Sequence, residues 1–186
     1  MTSIPSSPPD SMFYSGKTFV KQIILVLAIF LNASCEQVAE TKTIRKADAA
    51  KAKDQANGAA DVALKFINAY VNNCNKMKES VGVVEWVQSN NLATNRFKSE
   101  VKSIVDQAYK LDPEMGLDAD PIFDAQDYPD QGFVLDSLDG KTNYVVVKGK
   151  DWPDFKLAIK VAPENNNWMV DGCGIINVPT DKRIAR

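Results

Sequence analysis

The chain has 186 residues, with 22 Lys and Arg against 24 Asp and Glu, no His, and a net charge of −2. So small a charge offers no basic face for nucleic acid. The absence of histidine excludes Ser-His-Asp and Cys-His nucleophile machinery, a His-x-Glu deaminase site and histidine-based zinc sites. The length fits one domain with an extension.

Residues Ile4 to Asp10 are rich in Ser and Pro and cannot start a helix. Lys17 and Lys21 then precede an apolar run from Gln22 to Leu31, and small Ala33 and Ser34 lead to Cys35. A positive flank, a short apolar core and a small-residue site make a secretory signal. The run is half the ~20 apolar residues a membrane span requires. A signal peptide is therefore expected over 1–34, with Met12 as an alternative start. Leu31-Asn32-Ala33-Ser34-Cys35 resembles the lipobox of bacterial lipoproteins, in which the cysteine takes up a diacylglycerol and becomes the first mature residue. The usual leucine stands three places before the cysteine; here Asn32 holds that place, and plain cleavage near Ser34 is the alternative. The resemblance implies lipidation at Cys35 and a stable membrane anchor, since each buried CH₂ contributes about 0.8 kcal/mol. The expected location is the cell envelope, facing the periplasm or the exterior, or else the secreted or periplasmic space.

From 35 to 58 the chain is rich in Ala, Lys, Thr and Asp and poor in large apolar residues. It cannot bury enough surface to fold alone and is expected to be a tether. The domain is expected over 59–180, with a short tail at 181–186. Ala63, Phe66, Ile67, Tyr70, Cys74 and Met77 mark one helix face, predicting a helix from Ala59 to Ser80. Val83, Trp86 and Val87 predict a short second helix. Thr94 or Asn95 can cap a third, whose stripe is Phe97, Val101, Ile104, Val105 and Ala108 and which Asp112-Pro113 ends. The period then changes to two. Strands are predicted from Gln131 to Leu138, Asn143 to Lys148, Phe155 to Ala162 and Trp168 to Gly172, the last continued by Ile175 to Val178. Asp139-Gly140 predicts a hairpin turn with Gly140 at positive φ, and Gly172 and Gly174 predict a bulge around Cys173. Helices followed by an antiparallel meander define an α+β class.

This order resembles the cystatin-like cone of the nuclear-transport-factor-2-like fold, with N-terminal helices packed on a curved antiparallel sheet. Phe66 to Tyr70, the stretch Asp120-Pro121-Ile122-Phe123-Asp124-Ala125-Gln126-Asp127-Tyr128-Pro129, and Trp168 to Gly172 resemble a family of small bacterial envelope proteins carrying such a domain of unknown function. The resemblance spans about residues 60–178. It implies location and fold and supplies no catalytic residues.

Cys74 and Cys173 are the cysteines beyond Cys35. In an oxidising compartment they are expected to form a disulfide, the alternative being two buried thiols. Two thiolates without histidine do not complete a zinc shell, and no metal or cofactor is expected. Nine Asp and Glu lie between Asp112 and Asp139, with no Lys or Arg among them. Three readings stand: a solvated loop, a negative surface for a cationic partner, and an irregular calcium site. An EF-hand is excluded, because Ile122 and Phe123 occupy the places of a ligand and of the glycine. Asp120, Asp124, Gln126 and Asp127 are the candidate binding residues; Gln126 and Asp127 are also placed to fix the loop through backbone bonds.

The expected function is a non-catalytic binding or inhibitory, immunity-like module. Its partner would be an envelope protein or a peptidoglycan-associated enzyme, with no nucleic acid. The alternative is a small enzyme. Ketosteroid isomerase shares the cone and uses an Asp base beside a Tyr and a protonated Asp; Tyr70, Tyr109, Tyr128, Asp124 and Asp127 are the residue types available for this chemistry. A concave pocket holding an Asp of raised pKa beside a Tyr hydroxyl would favour the enzyme.

Overall fold

A computed structural model of the chain describes residues 57–185. The signal segment, Cys35 and the tether as far as residue 56 lie outside the described residues. The first amphipathic stripe forms helix α1, which occupies 57–74 among the described residues. Ala63, Phe66, Ile67 and Tyr70 are buried along it, as one apolar face at a 3.6-residue period requires. The helix ends well before Ser80. The Asn73 side chain donates to the Val81 carbonyl at 2.8 Å and accepts from the Val81 N–H at 3.0 Å. Met77 turns left-handed at φ 53°, and a 3-10 turn follows over Met77–Glu79. Met77, expected on the buried stripe, is 77% exposed. The cause is local: an Asn side chain bonding to the backbone offers the chain an alternative to the helix ladder.

Helix α2 spans Val83–Ser89 and α3 spans Asn95–Leu111. Thr94 caps α3, its hydroxyl accepting from the Phe97 N–H at 3.1 Å. Asp112, ahead of Pro113, closes it. Strands β1 Phe133–Asp139, β2 Tyr144–Gly149, β3 Lys156–Glu164 and β4 Asn167–Cys173 form an antiparallel sheet in sequence order. Val145, Val147, Leu157 and Ile159 alternate inward and share one core with Phe66, Val87 and Phe97 of the three helices. The architecture is therefore α+β, helices on a four-stranded meander. The segment before α3 covers the β4 edge: the Val170 N–H donates to the Leu92 carbonyl at 2.7 Å, and the Thr94 N–H donates to the Val170 carbonyl at 2.9 Å. An exposed row of unpaired strand groups is thereby avoided.

The turns correct several expectations. Between β1 and β2 the chain uses residues 140–143, and the positive φ falls on Asn143 at 59° rather than on Gly140. Asp139 organises that loop by accepting from the Lys141 N–H at 2.9 Å and the Thr142 hydroxyl at 2.5 Å. Between β3 and β4, Asn165 and Asn166 both take positive φ, 50° and 65°, the two-residue turn that matches strand twist. Ile175 to Val178 does not extend β4. The chain reverses at Gly174, φ 60°, and Cys173 and Ile176 exchange backbone hydrogen bonds of 3.0 Å each.

The bulge falls on Asp171: pairing passes from Lys160↔Gly172 to Val161↔Val170 and leaves Asp171 as the extra residue. A second bulge leaves Asp136 extra between Leu135↔Val147 and Ser137↔Val146. Lysines meet Asp136, Lys148 at 3.3 Å and Lys156 at 2.9 Å. Arg183, inside the expected tail, donates to the Val178 carbonyl at 2.9 Å and the Ile175 carbonyl at 3.1 Å. Among the described residues no helix is long and apolar enough to cross a membrane.

Candidate functional site

The acidic loop between α3 and β1 is folded around Asp120. Its backbone N–H donates to the Ala125 carbonyl at 3.0 Å. Its Oδ1 accepts from the N–H groups of Ile122 at 2.8 Å and Phe123 at 3.0 Å, the local turn that a short carboxylate side chain favours. Ile122 and Phe123 are buried and hold the turn against the core. Phe123 also stacks on Tyr128, with ring centroids 4.7 Å apart and planes 9° from parallel. The turn thereby aims Oδ2 at α1, where the Tyr70 hydroxyl donates to it. Tyr70 is 2% exposed.

Tyr70, Cys74, Asp120 and Tyr128 line a cavity of about 510 Å³. Its lining also includes the exposed side chains of Tyr109 and Met115, with Asp118 and Gln126 from the loop. Among the described residues no Lys or Arg lines it. Burial pushes the Asp120 carboxyl above the usual carboxylate range, against the lowering effect of its hydrogen bonds from Tyr70, Phe123 and Ile122. Burial, reinforced by the charge of Asp120, pushes the Cys74 thiol up to about 11 and the Tyr70 phenol up as well. Tyr128 is raised by burial and then by the charges of Cys74, Asp130 and Asp120. Each of these groups resists gaining negative charge.

The residues singled out in the sequence divide between two places. Asp120 belongs to this cavity, whereas Asp124 and Asp127 line a second one of about 550 Å³ with Trp152 and Asp154. Gln126 borders both. Its amide donates to the Asp118 carbonyl at 3.1 Å, fixing the loop, while the backbone-capping task expected of Asp127 is carried out by Asp120. Of the tyrosines and aspartates considered for acid–base work, Tyr70 alone finds a carboxylate partner, and that partner is Asp120 rather than Asp124 or Asp127. Tyr128 donates to Asn75 Oδ1 at 3.1 Å.

No disulfide joins Cys74 to Cys173 in this structure. Cys74 lines the cavity with Tyr70. Cys173 is buried with its Sγ directed at the Ile122 carbonyl, 3.4 Å away. Among the described residues no group of three or more His, Cys, Asp or Glu is placed to hold a metal ion.

Sequence reasoning passed over a second polar centre. The Asp171 carboxylate accepts from Thr94 Oγ1 at 3.0 Å and from the Arg96 guanidinium through Nε at 2.9 Å and through its terminal nitrogen, and it meets Lys160 Nζ at 3.2 Å. The signal available was Thr94-x-Arg96 at a helix start beside a strand containing one aspartate. Asn68 was also missed: it clamps the start of β1 by accepting from the Phe133 N–H at 2.7 Å and donating to the Phe133 carbonyl at 3.1 Å. No family model, curated protein or solved structure matches the chain.

Proposed function

We propose that the chain is an exported, lipid-anchored module of the cell envelope that binds a partner without transforming it. The signal and lipobox pattern ending at Cys35 supports the location. The cavity beside Tyr70 and Asp120 supports binding: it is concave, part apolar, and large enough for a small molecule or a protruding side chain. Its Tyr70 and Asp120 side chains are bonded to each other. The single Tyr70 proton is committed to Asp120, and the Asp120 oxygens already accept from three donors. The partner in this reading is an envelope protein or a peptidoglycan-associated enzyme that inserts a group into the cavity. The helix-on-sheet arrangement is compatible with a cystatin-like cone.

A second reading is a small acid–base enzyme, and one observation favours it: an aspartate of raised pKa stands beside a tyrosine hydroxyl in a concave pocket. A rearrangement releasing Tyr70 from Asp120 would be required before either could serve a substrate. One experiment separates the readings. Wild-type protein and the Asp120→Asn variant are incubated with envelope extract and the small molecules followed by mass spectrometry. Binding predicts compounds retained unchanged by the wild type and released by the variant. Disappearance of a compound in step with Asp120 would establish the enzyme instead. For the anchor, Cys35→Ser should move the protein from the membrane fraction to the soluble fraction and abolish lipid labelling; a wild-type protein that is already soluble and unlabelled overturns it.

A further inference from the structure

We propose that the cavity between α1 and the Asp120 loop takes an organic cation, an ammonium head group on an apolar body. The inference rests on the binding reading above and names the class of ligand. Its first support is the charge inventory. Among the described residues Asp118 and Asp120 are the charged side chains of the lining, with no Lys or Arg beside them. The Asp120 carboxylate is held by one hydroxyl and two backbone N–H groups, all dipoles. By contrast Asp136 and Asp171, at the two strand bulges, each meet two cationic side chains. Asp120 thus brings to a cavity wall a carboxyl that no cationic side chain meets among the described residues. Low-dielectric walls focus such a field and draw a counter-ion from solvent.

The second support is the surface around that charge. Tyr70, Tyr109 and Tyr128 are part of the lining, and aromatic rings attract an ammonium group through their negative faces. Val105, Met115 and Leu117 supply an apolar wall for the body of the ligand. An anion would meet the reverse: the Asp118 and Asp120 carboxylates stand in the same lining and would repel it. A neutral apolar compound would fill the space and cover the Asp120 carboxyl without supplying a counter-charge, the costlier arrangement.

The test uses three probes with one body and three head groups: phenylbutylammonium, phenylbutanol and phenylbutyrate. Each is titrated into the full-length protein. Tryptophan fluorescence serves as the readout, because Trp86 packs 4.8 Å from Tyr70, with thermal shift as a second measurement. The ammonium is expected to bind at least about tenfold more tightly than the alcohol, with the carboxylate weakest, and its affinity should fall with added salt. Asp120→Asn retains an acceptor for the Ile122 and Phe123 N–H groups and should bring the ammonium and the alcohol to about equal affinity. Should that variant not fold, the exposed Asp118→Asn serves in its place and should reduce the preference by at least about twofold. Equal binding of all three probes, or preference for the carboxylate, overturns the cation class and leaves the binding reading standing. No binding of any probe also overturns the cation class, and the binding reading falls with it if the envelope-extract experiment retains nothing.

Discussion

Asp171 sits at a bulge of β4, 6% exposed, and is met by Arg96, Lys160 and Thr94. Asp120 sits in a loop against α1 and is met by the Tyr70 hydroxyl and two backbone N–H groups. Burial pushes both carboxyls up. At Asp171 the hydrogen bonds of Arg96, Thr94 and Lys160, with the Arg96 charge, outweigh burial, and the group ends below the usual range. At Asp120 the hydroxyl and the amides do not outweigh it, and the group ends above. The same side chain thus becomes an ion-paired anchor in one place and a carboxyl held by dipoles at a cavity wall in the other. What separates them is the presence of a cation, because dipoles solvate a buried charge without neutralising it.

The largest expected effect comes from joining the two regions too tightly. Gly174 follows β4 at φ 60°, and a Cβ there would collide with the carbonyl oxygens of Pro121 and Ile122 in the Asp120 loop. Gly174→Ala combines left-handed strain with overpacking and should cost about 4 kcal/mol. Chemical denaturation would measure it, and ligand binding at the cavity should fail while the Asp171 cluster persists in any folded fraction.

Removing the anchor comes next. Asp171→Ala strips Arg96, Lys160 and Thr94 of their acceptor and loosens the start of α3 from β4. The expected loss is about 2 kcal/mol, reduced from the full value for charged hydrogen bonds because Arg96 is largely solvent-exposed. Affinity at the cavity should be unchanged in the same protein; a concurrent loss would mean that the two regions are coupled.

A smaller effect is expected from Tyr70→Phe, which deletes one donor to Asp120 and keeps the ring in the core. About 1 kcal/mol should be lost at neutral pH, and the Asp120 carboxyl should rise further, which carbon-13 NMR of the side chain would detect. A downward move would show that water or a cation had taken the place of the hydroxyl.

The smallest effect is the pH dependence, and the two aspartates give it opposite signs. The Asp171 pKa is lowered on folding, so its contribution is present above the unfolded value of about 3.9 and is lost as pH falls through the folded value below it. The Asp120 pKa is raised, so the native state takes up its proton first, and stability increases as pH falls from the folded value towards about 3.9. Subtracting the stability curve of Asp120→Asn from that of wild type should leave a term that falls with rising pH. The same subtraction with Asp171→Asn should leave a term that rises with pH. Equal signs would contradict the contrast between the two sites.

How much of this was legible in advance depended on distance along the chain. The stripe through Phe66, Ile67 and Tyr70, the Thr94 cap and the alternation of Leu157 and Ile159 are local patterns, and each forms where its period places it. Periodicity is a property of neighbouring residues and needs no knowledge of the partner surface. Element ends were less legible: α1 stops after residue 74 because Asn73 bonds to Val81, a competition that hydrophobic period does not register. Cys35 and the signal lie in a stretch whose meaning is compositional, and the sequence carries that expectation by itself.

The candidate site is another matter. Asp120 was visible within an acidic segment, but its selection over Asp124 and Asp127 depended on Tyr70, 50 residues earlier. Asp171 depended on Arg96, 75 residues earlier, and on a bulge that breaks the strand's alternation. The sequence by itself determined the helices, the meander and the α+β class, because chain neighbours share the burial pattern that produces them. Only the tertiary structure decided which aspartate meets a cation and which meets a hydroxyl, because that choice is made between side chains brought together when the helices close over the sheet.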